Sequence, residues 1–409
     1  MDRKRGKTIN RTRPVAAYLA IAAILLSLSA VLSACPHSNN YTESANRTGK
    51  SINASPENPE KTGEWTIFRG DGRLAGITRE GIPTDPEQLW TFQAGFEIKS
   101  SPVISNSIVI IGSGDGIVYA LDLDGQLKWT FDTGNTIEAP ALIHDNRVYI
   151  GNLGGMLYCL DLLSGTRIWE YECDNQIMGS PNIWSDGSMD LILVGSYDYY
   201  LHAVDANDGS PAWKYELYNY LNATVAIEND MAVFGGCDGY LHRVDLKTGE
   251  PLPEFEIASY VAGSPALENG IAYVGDYDGI FSAVDYMKGE VLWRWTDEER
   301  QLPFIASPSV HGDRVIIGNR DRFVYSFDRR TGEMVWRTNT GSRVDSSTLT
   351  DGSRVLVANM RGDLMLLDFE TGRRLWMYET GSPVSGSPAV SGNKIFIGDN
   401  SGTLWCFGN

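Results

Sequence analysis

A nine-residue motif that recurs about every 40 residues constrains this chain more than any other feature. It joins an Asp, a Gly four positions later and a Trp four positions after that. Its clearest copies are DLLSGTRIW (161–169), DANDGSPAW (205–213), DYMKGEVLW (285–293), DRRTGEMVW (328–336) and DFETGRRLW (368–376). A period of this length is typical of solenoids and propellers, so the repeat indicates the architecture before any local pattern is considered.

The Asp of each motif ends a strand-like run and marks the period. These positions are Asp122, Asp161, Asp205, Asp245, Asp285, Asp328 and Asp368, and Gly408 follows one period later. The chain therefore contains eight units. The two longest intervals carry the insertions SDGSMD (185–190) and TDEERQ (296–301).

Each unit contains four short runs with the composition of β-strands. In the first unit they are SPVIS (101–105), SIVIIG (107–112), IVYALD (117–122) and LKWTF (127–131), separated by turn residues such as Asn106. Four antiparallel strands in about 40 residues form a propeller blade. The sequence therefore predicts an all-β protein, an eight-bladed β-propeller with four-stranded antiparallel blades.

The order of the runs predicts how the ring closes. A fourth-strand run, LWTF (89–92), precedes the first complete unit, and the chain ends just after the third strand of unit eight. We expect this N-terminal strand to complete the last blade, because a closed ring leaves no free strand edge.

The repeated motif has a physical explanation. The Asp carboxylate can accept amide hydrogens of the turn that follows, the Gly supplies a positive φ, and the Trp can fill the gap between stacked blades. The predicted blade-docking residues are Trp90, Trp129, Trp169, Trp213, Trp293, Trp336 and Trp376. Unit four has Pro253 in the Trp position, so we expect an altered contact there.

The first 35 residues predict export rather than a part of the fold. A basic segment (1–14) precedes an apolar run (15–34), and the sequence Leu-Ser-Ala-Cys that ends at Cys35 resembles a bacterial lipobox. An uncleaved membrane anchor is the alternative, since the apolar run is long enough to span a bilayer. The predicted segments are a lipoprotein signal peptide at 1–34, a lipidated Cys35 with a flexible tether over 35–63, and the propeller over 64–409.

The residue after Cys35 and the overall charge bear on location and partners. Pro36 rather than Asp follows the Cys, which favours the periplasmic face of the outer membrane for a lipid-anchored protein of the cell envelope. The formal net charge is −18, and six of the basic residues lie in the segment that we expect to be removed. So acidic a chain argues against nucleic acid as a partner.

Five cysteines leave the question of disulfides open. Once Cys35 carries lipid, Cys159, Cys173, Cys237 and Cys406 remain in an exported protein, which allows one or two bridges. Cys159 and Cys406 occupy a position that is Ala in other units, which indicates small buried residues instead.

The docking motif resembles the tryptophan-docking repeat of the PQQ (pyrroloquinoline quinone) propeller superfamily. EWTIFRGDGRLAG (64–76) is similar to the Trp-x-x-Phe-Arg-Gly segment that often precedes such propellers. With a lipid anchor and no added domain, the chain most resembles the BamB-like lipoproteins, accessory subunits of the outer-membrane β-barrel assembly machinery. The resemblance implies a non-catalytic, monomeric propeller that acts as a scaffold for a protein partner.

The resemblance also implies where the partner binds. In these lipoproteins the contacts come from loops of blades four and five, which correspond to ELYNYLNAT (216–224) and IASYVAGSP (257–265). The leucine and arginine cluster of the family is not present in these loops. The predicted partner-binding residues are Tyr218, Tyr220, Leu221 and Tyr260.

Two other functions remain open. A PQQ-dependent dehydrogenase holds a quinone and Ca²⁺ over the channel with an Asp base, but the vicinal Cys pair and long loops usual in such enzymes do not occur in this sequence. We therefore expect no catalytic residue, bound cofactor or metal. An exported propeller could instead bind or sense a small ligand at the channel rim, although a solvated funnel is the better explanation of the rim residues. The rim candidates are Lys99, Glu138, Met178, Tyr220, Arg343 and Asp345.

Two histidines invite a metal hypothesis. His202 and His242 occupy the same position in adjacent units, and Cys237 lies near His242 in sequence, which would suit a soft metal. Tyrosines fill this position in other units, so a half-polar packing position explains both histidines without a metal.

Overall fold

The structure, a computed structural model, describes residues 63–257 and 259–409, which belong to one compact unit. These residues form 32 β-strands and no helix, arranged as eight four-stranded antiparallel sheets in a ring. The predicted eight-bladed propeller is confirmed. The predicted signal peptide, the lipidation site at Cys35 and nearly all of the tether lie outside the described residues.

Each blade is ordered from the centre of the ring outward, and the first strands of neighbouring blades contact each other. Blade 1 consists of β2 (Val103–Ser105), β3 (Ile108–Gly112), β4 (Ile117–Asp122) and β5 (Leu127–Asp132). Blade 2 consists of β6 (Leu142–His144), β7 (Arg147–Gly151), β8 (Met156–Asp161) and β9 (Arg167–Glu172). Blade 3 consists of β10 (Asn182–Ser185), β11 (Asp190–Gly195), β12 (Tyr200–Asp205) and β13 (Pro211–Glu216). Blade 4 consists of β14 (Ala226–Glu228), β15 (Met231–Gly235), β16 (Tyr240–Asp245) and β17 (Pro251–Glu256).

The second half of the ring repeats this order. Blade 5 consists of β18 (Ala266–Glu268), β19 (Ile271–Gly275), β20 (Ile280–Asp285) and β21 (Glu290–Thr296). Blade 6 consists of β22 (Ser309–His311), β23 (Arg314–Gly318), β24 (Phe323–Asp328) and β25 (Met334–Asn339). Blade 7 consists of β26 (Leu349–Thr350), β27 (Arg354–Ala358), β28 (Asp363–Asp368) and β29 (Arg374–Glu379). Blade 8 consists of β30 (Ala389–Ser391), β31 (Lys394–Gly398), β32 (Thr403–Gly408) and β1 (Glu87–Gln93).

Burial explains why the runs form these strands. All five residues of β3 are buried, as expected of an apolar strand that is covered on both faces, whereas the outer strand β5 is largely exposed. The turn between β2 and β3 has positive φ at both Asn106 (50°) and Ser107 (63°), the conformation of a two-residue hairpin turn.

The last blade is completed from the N-terminal side of the chain. Strand β1 pairs antiparallel with β32, with Trp90 opposite Cys406. Because β1 takes the outer position of blade 8, every blade has four strands.

A strap formed by residues 63–82 crosses the centre of the ring before β1 begins. Its main chain is hydrogen-bonded to one residue in the innermost strand of every blade: Ile104, Ile143, Asn182, Ile227, Leu267, Val310, Thr350 and Ser391. The guanidinium of Arg69, which is 2% exposed, donates to the carbonyl oxygens of Thr348 and Pro308. The strap therefore ties all eight blades together on one side of the ring.

The docking tryptophans lie on the outer strands and contact the following blade. Five of them, Trp90, Trp129, Trp169, Trp293 and Trp336, donate their indole N–H at 2.9–3.1 Å to a carbonyl oxygen just after the motif Asp of that blade. The other two make ring contacts: Trp213 lies against Gly249, and the ring of Trp376 is 6.0 Å from that of Phe407.

Blade 4, which has Pro253 in place of the Trp, makes the same contact with a different residue. Arg243 donates from Nη1 to the carbonyl oxygen of Tyr286 at 2.6 Å, which is the equivalent acceptor in blade 5. Its guanidinium also lies 4.9 Å from the ring centre of Phe255. The altered contact is thus an arginine that rises from the third strand, where most other blades have a small residue.

Candidate functional site

Two kinds of loop form one face of the ring, which we call the rim face. These are the connections from one blade to the next and the turns between the second and third strands. The two are joined by main-chain hydrogen bonds, for example from Tyr277 N–H to the Tyr260 carbonyl oxygen at 2.9 Å. The predicted partner residues Tyr218, Tyr220 and Tyr260 lie on this face and are 74%, 38% and 54% exposed.

Tyr220 belongs to a group of three tyrosines. Its ring centre lies 4.6 Å from that of Tyr197 and 5.1 Å from that of Tyr199, and both partners come from the turn between β11 and β12. Tyr199 has a φ of +75° at a position where most other blades have glycine. Such a conformation costs a residue with a Cβ about 1–3 kcal/mol and is frequent at functional sites.

Two tyrosine pairs extend this group across blades 4 and 5. Ring centres are 6.0 Å apart for Tyr218 and Tyr240, and 6.4 Å apart for Tyr260 and Tyr277. The Tyr218 hydroxyl also donates to Glu254 at 3.2 Å. We call the whole set the tyrosine face: Tyr197, Tyr199, Tyr218, Tyr220, Tyr240, Tyr260 and Tyr277.

The sequence interpretation found only the tyrosines of the connecting loops. Those of the turns, in YDYY (197–200), GYL (239–241) and DYDG (276–279), were missed as contributors to a site. Aligning the second-to-third turns of successive units would have revealed them, because both kinds of loop reach the same face.

Leu221 was predicted to contact a partner, and this prediction is wrong. Its side chain is fully buried and belongs to the core of blades 3 and 4. A Cβ added to Gly195, the last residue of β11, would lie 2.4 Å from Leu221 Cγ. Ile177 and Val261 have the same relation to Gly151 and Gly235. Leu221 is therefore a core residue of the repeat.

The charged candidates at the channel rim form ion pairs. Lys99 Nζ lies 2.8 Å from a carboxylate oxygen of Glu138, and Asp345 lies 3.0 Å from Arg320 and 3.5 Å from Arg343. Although partial burial opposes it, the hydrogen bonds that Lys99 donates to Glu138 and Glu97 leave the pKa of its ammonium group above the ordinary value. The rim charges are largely neutralised by one another.

A small polar cavity lies at the centre of the ring. It has a volume of about 170 Å³ and is floored by Phe68 of the strap, while Lys99, Met178 and Asp345 lie around it. Glu138, Tyr220 and Arg343 are not part of its wall. Pockets for drug-sized ligands measure about 300–1,000 Å³, so this cavity has room only for a ligand smaller than a typical drug.

A ring of hydroxyl groups surrounds this cavity. Every blade except blade 2 contributes one Ser or Thr, and the main-chain N–H of one such residue donates at 2.9–3.0 Å to the side-chain hydroxyl of the corresponding residue in the next blade. In order round the ring, the residues in this chain of bonds are Ser180, Thr224, Ser264, Ser307, Ser347, Ser387 and Ser101. Pro140 occupies the same position in blade 2 and interrupts the ring. These hydroxyls join the blades at the centre, which is a structural role.

His202 and His242 are both fully buried and each lies between a tyrosine and an aspartate. His202 Nδ1 is 3.0 Å from the Tyr171 hydroxyl and its Nε2 is 2.9 Å from Asp198. Although burial opposes it, the hydrogen bond from His202 leaves the pKa of Asp198 below its ordinary value. Among the described residues, Cys173 rather than Cys237 forms a three-residue group with a histidine and a carboxylate.

The repeat and its contacts agree with a known family. A family model described as outer membrane protein assembly factor BamB matches residues 82–197, 115–219, 197–322 and 320–408. The chain belongs to this BamB family. The resemblance to PQQ-type propellers of the BamB kind, drawn from the docking motif, is thereby confirmed.

Solved structures show how widely this fold is used. BamB from Moraxella catarrhalis is 21% identical, with a TM-score of 0.68, and the alignment covers 79% of this chain and 98% of that one. Quinohemoprotein alcohol dehydrogenase from Comamonas testosteroni is 13% identical, with a TM-score of 0.72 and coverage of 86% and 81%. The designed protein Ika8 is 18% identical, with a TM-score of 0.67 and coverage of 80% and 100%. At such identities the likeness shows the fold alone.

Two further comparisons add little about function. No curated protein sequence matches the chain. Within residues 63–257 and 259–409, no helix has the length and hydrophobicity that crossing a membrane would require.

Proposed function

We propose that this BamB-family protein is a non-catalytic, lipid-anchored scaffold of the cell envelope, which holds a protein partner on its tyrosine face during outer-membrane β-barrel assembly. The observation that carries the proposal is the tyrosine face itself. It gathers seven tyrosines from adjacent loops and one strand end of blades 3 to 5, where Tyr218 and Tyr260 are more than half exposed.

The chemistry of these residues suits protein recognition. Tyrosine buries a large area at a low cost in conformational entropy, and aromatic residues are enriched at interface hot spots. Main-chain hydrogen bonds such as that from Cys237 N–H to the Tyr220 carbonyl oxygen, at 2.9 Å, hold the loops in place. A preorganised surface loses less entropy when it binds. Since the chain is acidic, we expect the partner's contact surface to be neutral or basic.

The anchor and the location rest on sequence alone. Cys35, as the lipidated residue, would tether the propeller, and Pro36 supports the periplasmic face of the outer membrane. Mass spectrometry of the mature protein should find an acylated N-terminal Cys35. An unmodified Cys35 in mature protein would contradict this part of the proposal.

A small-ligand function is the second candidate, and the polar cavity above Phe68 is the observation that favours it. The non-catalytic proposal is supported by the small volume of that cavity and by the paired rim charges. Reduction of an artificial electron acceptor by purified protein with PQQ, Ca²⁺ and an alcohol would favour the dehydrogenase alternative instead.

The test of the scaffold is co-purification from detergent-solubilised membranes. We expect the wild-type chain to retain a stoichiometric protein partner and the double variant Tyr218→Ala/Tyr260→Ala to lose it. Phe96→Ala is the matched control, because Phe96 is 59% exposed in the connection that leads into blade 1, on the far side of the ring. Equal retention by all three proteins would contradict the proposed site.

A further inference from the structure

Three metal-ligating side chains meet at the entry to blade 3, away from the central cavity. Cys173 lies in the connection before β10, Asp198 in the turn before β12 and His202 in β12 itself. One donor atom of each lies within 4.8 Å of the other two. Cys173 and His202 are buried, and the side chain of Asp198 is only 4% exposed.

We propose that Cys173, Asp198 and His202 form a binding site for a divalent cation of the zinc type. Thiolate, imidazole and carboxylate are the donors that Zn²⁺ takes in proteins. The charges of one thiolate and one carboxylate cancel that of the ion, so the occupied site is neutral. A buried position favours such a balance, because an uncompensated charge there is costly.

The histidine is already oriented for coordination. Its Nδ1 lies 3.0 Å from the Tyr171 hydroxyl, while Nε2 faces Asp198. Before the ion binds, the imidazole Nε2–H donates to Asp198 and Nδ1 accepts from the Tyr171 hydroxyl. When the ion binds, the thiol proton goes to solvent and the imidazole changes tautomer, so that its one proton lies on Nδ1 and donates to the Tyr171 oxygen. Nε2 then offers its lone pair to the metal. A hydrogen-bonded partner on the second ring nitrogen is usual for metal-binding histidines.

Blade 4 provides an internal control. There Tyr215, His242 and Asp238 repeat the arrangement. The Tyr215 hydroxyl lies 2.9 Å from His242 Nδ1, and a carboxylate oxygen of Asp238 lies 3.0 Å from His242 Nε2. The position of Cys173, however, is taken by Leu217, whose main-chain N–H makes the equivalent bond to the turn of the previous blade. Blade 4 thus shares the tyrosine–histidine–aspartate arrangement but has no thiol at this position, and the thiol is what distinguishes blade 3.

The site lies directly beneath part of the tyrosine face. Asp198 is flanked in sequence by Tyr197 and Tyr199, so a bound ion would fix the turn that presents both rings. The inference of a metal site does not depend on the proposed function of that face.

Cobalt titration of the purified, reduced full chain tests the site. Co²⁺ should give a thiolate-to-metal charge-transfer absorption with a stoichiometry of one per chain, and added Zn²⁺ should displace it and raise the melting temperature. Cys173→Leu, which reproduces blade 4, should abolish the absorption, whereas Cys237→Ser should leave it unchanged. If Cys173→Leu does not fold, Cys173→Ser removes the soft donor at nearly constant size.

The opposite outcomes are equally clear. An absence of the charge-transfer absorption in the wild-type chain would overturn the inference. So would an absorption of wild-type strength in the Cys173 variants, since the metal would then bind elsewhere. Leu217→Cys should raise the stoichiometry to two, because it completes the donor set in blade 4.

Discussion

At the scale of single residues, the contact between Trp336 and Gly372 explains why the motif needs both. The indole N–H donates to the Phe369 carbonyl oxygen at 3.0 Å, and the ring lies directly over the glycine. Gly372 has a φ of +68°, and a Cβ there would lie 2.5 Å from the ring. Glycine is therefore required twice, by its backbone conformation and by the close approach of the ring.

Replacing this tryptophan should show how much a docking contact stabilises the ring. Trp336 is 8% exposed, so Trp336→Ala should lower the free energy of unfolding by about 3–5 kcal/mol, the range for a buried large aromatic residue. Trp336→Phe should cost less, because it loses the N–H donor but keeps most of the apolar area. Denaturant unfolding measures both, and equal stability of Trp336→Ala and wild type would contradict the docking role.

The contact of blade 4 predicts a compensating pair. Arg243→Ala leaves the Tyr286 carbonyl oxygen without its donor and should cost about 1.5–3 kcal/mol, as for a hydrogen bond to a charged group. Adding Pro253→Trp restores the small residue and tryptophan of the other blades and should recover much of the loss. A double-mutant cycle measures the coupling, and purely additive losses would argue against the exchange.

The motif aspartates predict a dependence of stability on acid. Hydrogen bonds from the hydroxyl and N–H of Ser164 lower the pKa of Asp161, and those from Thr371 lower that of Asp368. A lowered folded pKa means that the stabilisation is complete above the unfolded value of about 3.9 and is lost as the pH falls through the folded value. Asp368→Asn should flatten this decline in urea unfolding between about pH 5 and pH 2. An unchanged slope would contradict it.

At the scale of elements, periodicity predicted most of the fold. The strands, their order and the docking tryptophans follow from a motif that each blade needs in order to stack. The strap contacts could not be predicted, because residues 63–82 lie outside the repeat and their main-chain partners are set by the ring as a whole. The candidate site was half predicted: the connecting loops were identified, but the turn tyrosines were missed and buried Leu221 was included.

Removing the strap and the closing strand should test what holds the elements together. A chain that begins at Phe96 lacks the strap, with its hydrogen bonds to all eight blades, and also lacks β1, the outer strand of blade 8. We therefore expect the free energy of unfolding to fall by an amount comparable to the ~5–15 kcal/mol that stabilises a typical domain. Calorimetry should find it unfolded or aggregated, since an open blade exposes a strand edge. The reference is a chain that begins at Gly63, and equal melting of the two would contradict the role of these segments.

At the scale of the whole molecule, the central cavity and the tyrosine face are separate features of the ring. The cavity at its centre is small and floored by the strap, and its rim charges pair with one another. Exposed tyrosines, by contrast, gather on the rim face of blades 3 to 5. A rigid ring with one aromatic sector suits a scaffold that holds a partner in a fixed orientation.

Site-specific photo-crosslinking in cells tests this central claim most directly. A photoreactive residue in place of Tyr218 or Tyr260 should crosslink one envelope protein in high yield, whereas the same residue in place of Phe96 should not. The crosslink should weaken when the remaining exposed tyrosines of the face are changed to Ala. A crosslink of equal strength from Phe96, or none from either tyrosine, would contradict a protein-binding role for the tyrosine face.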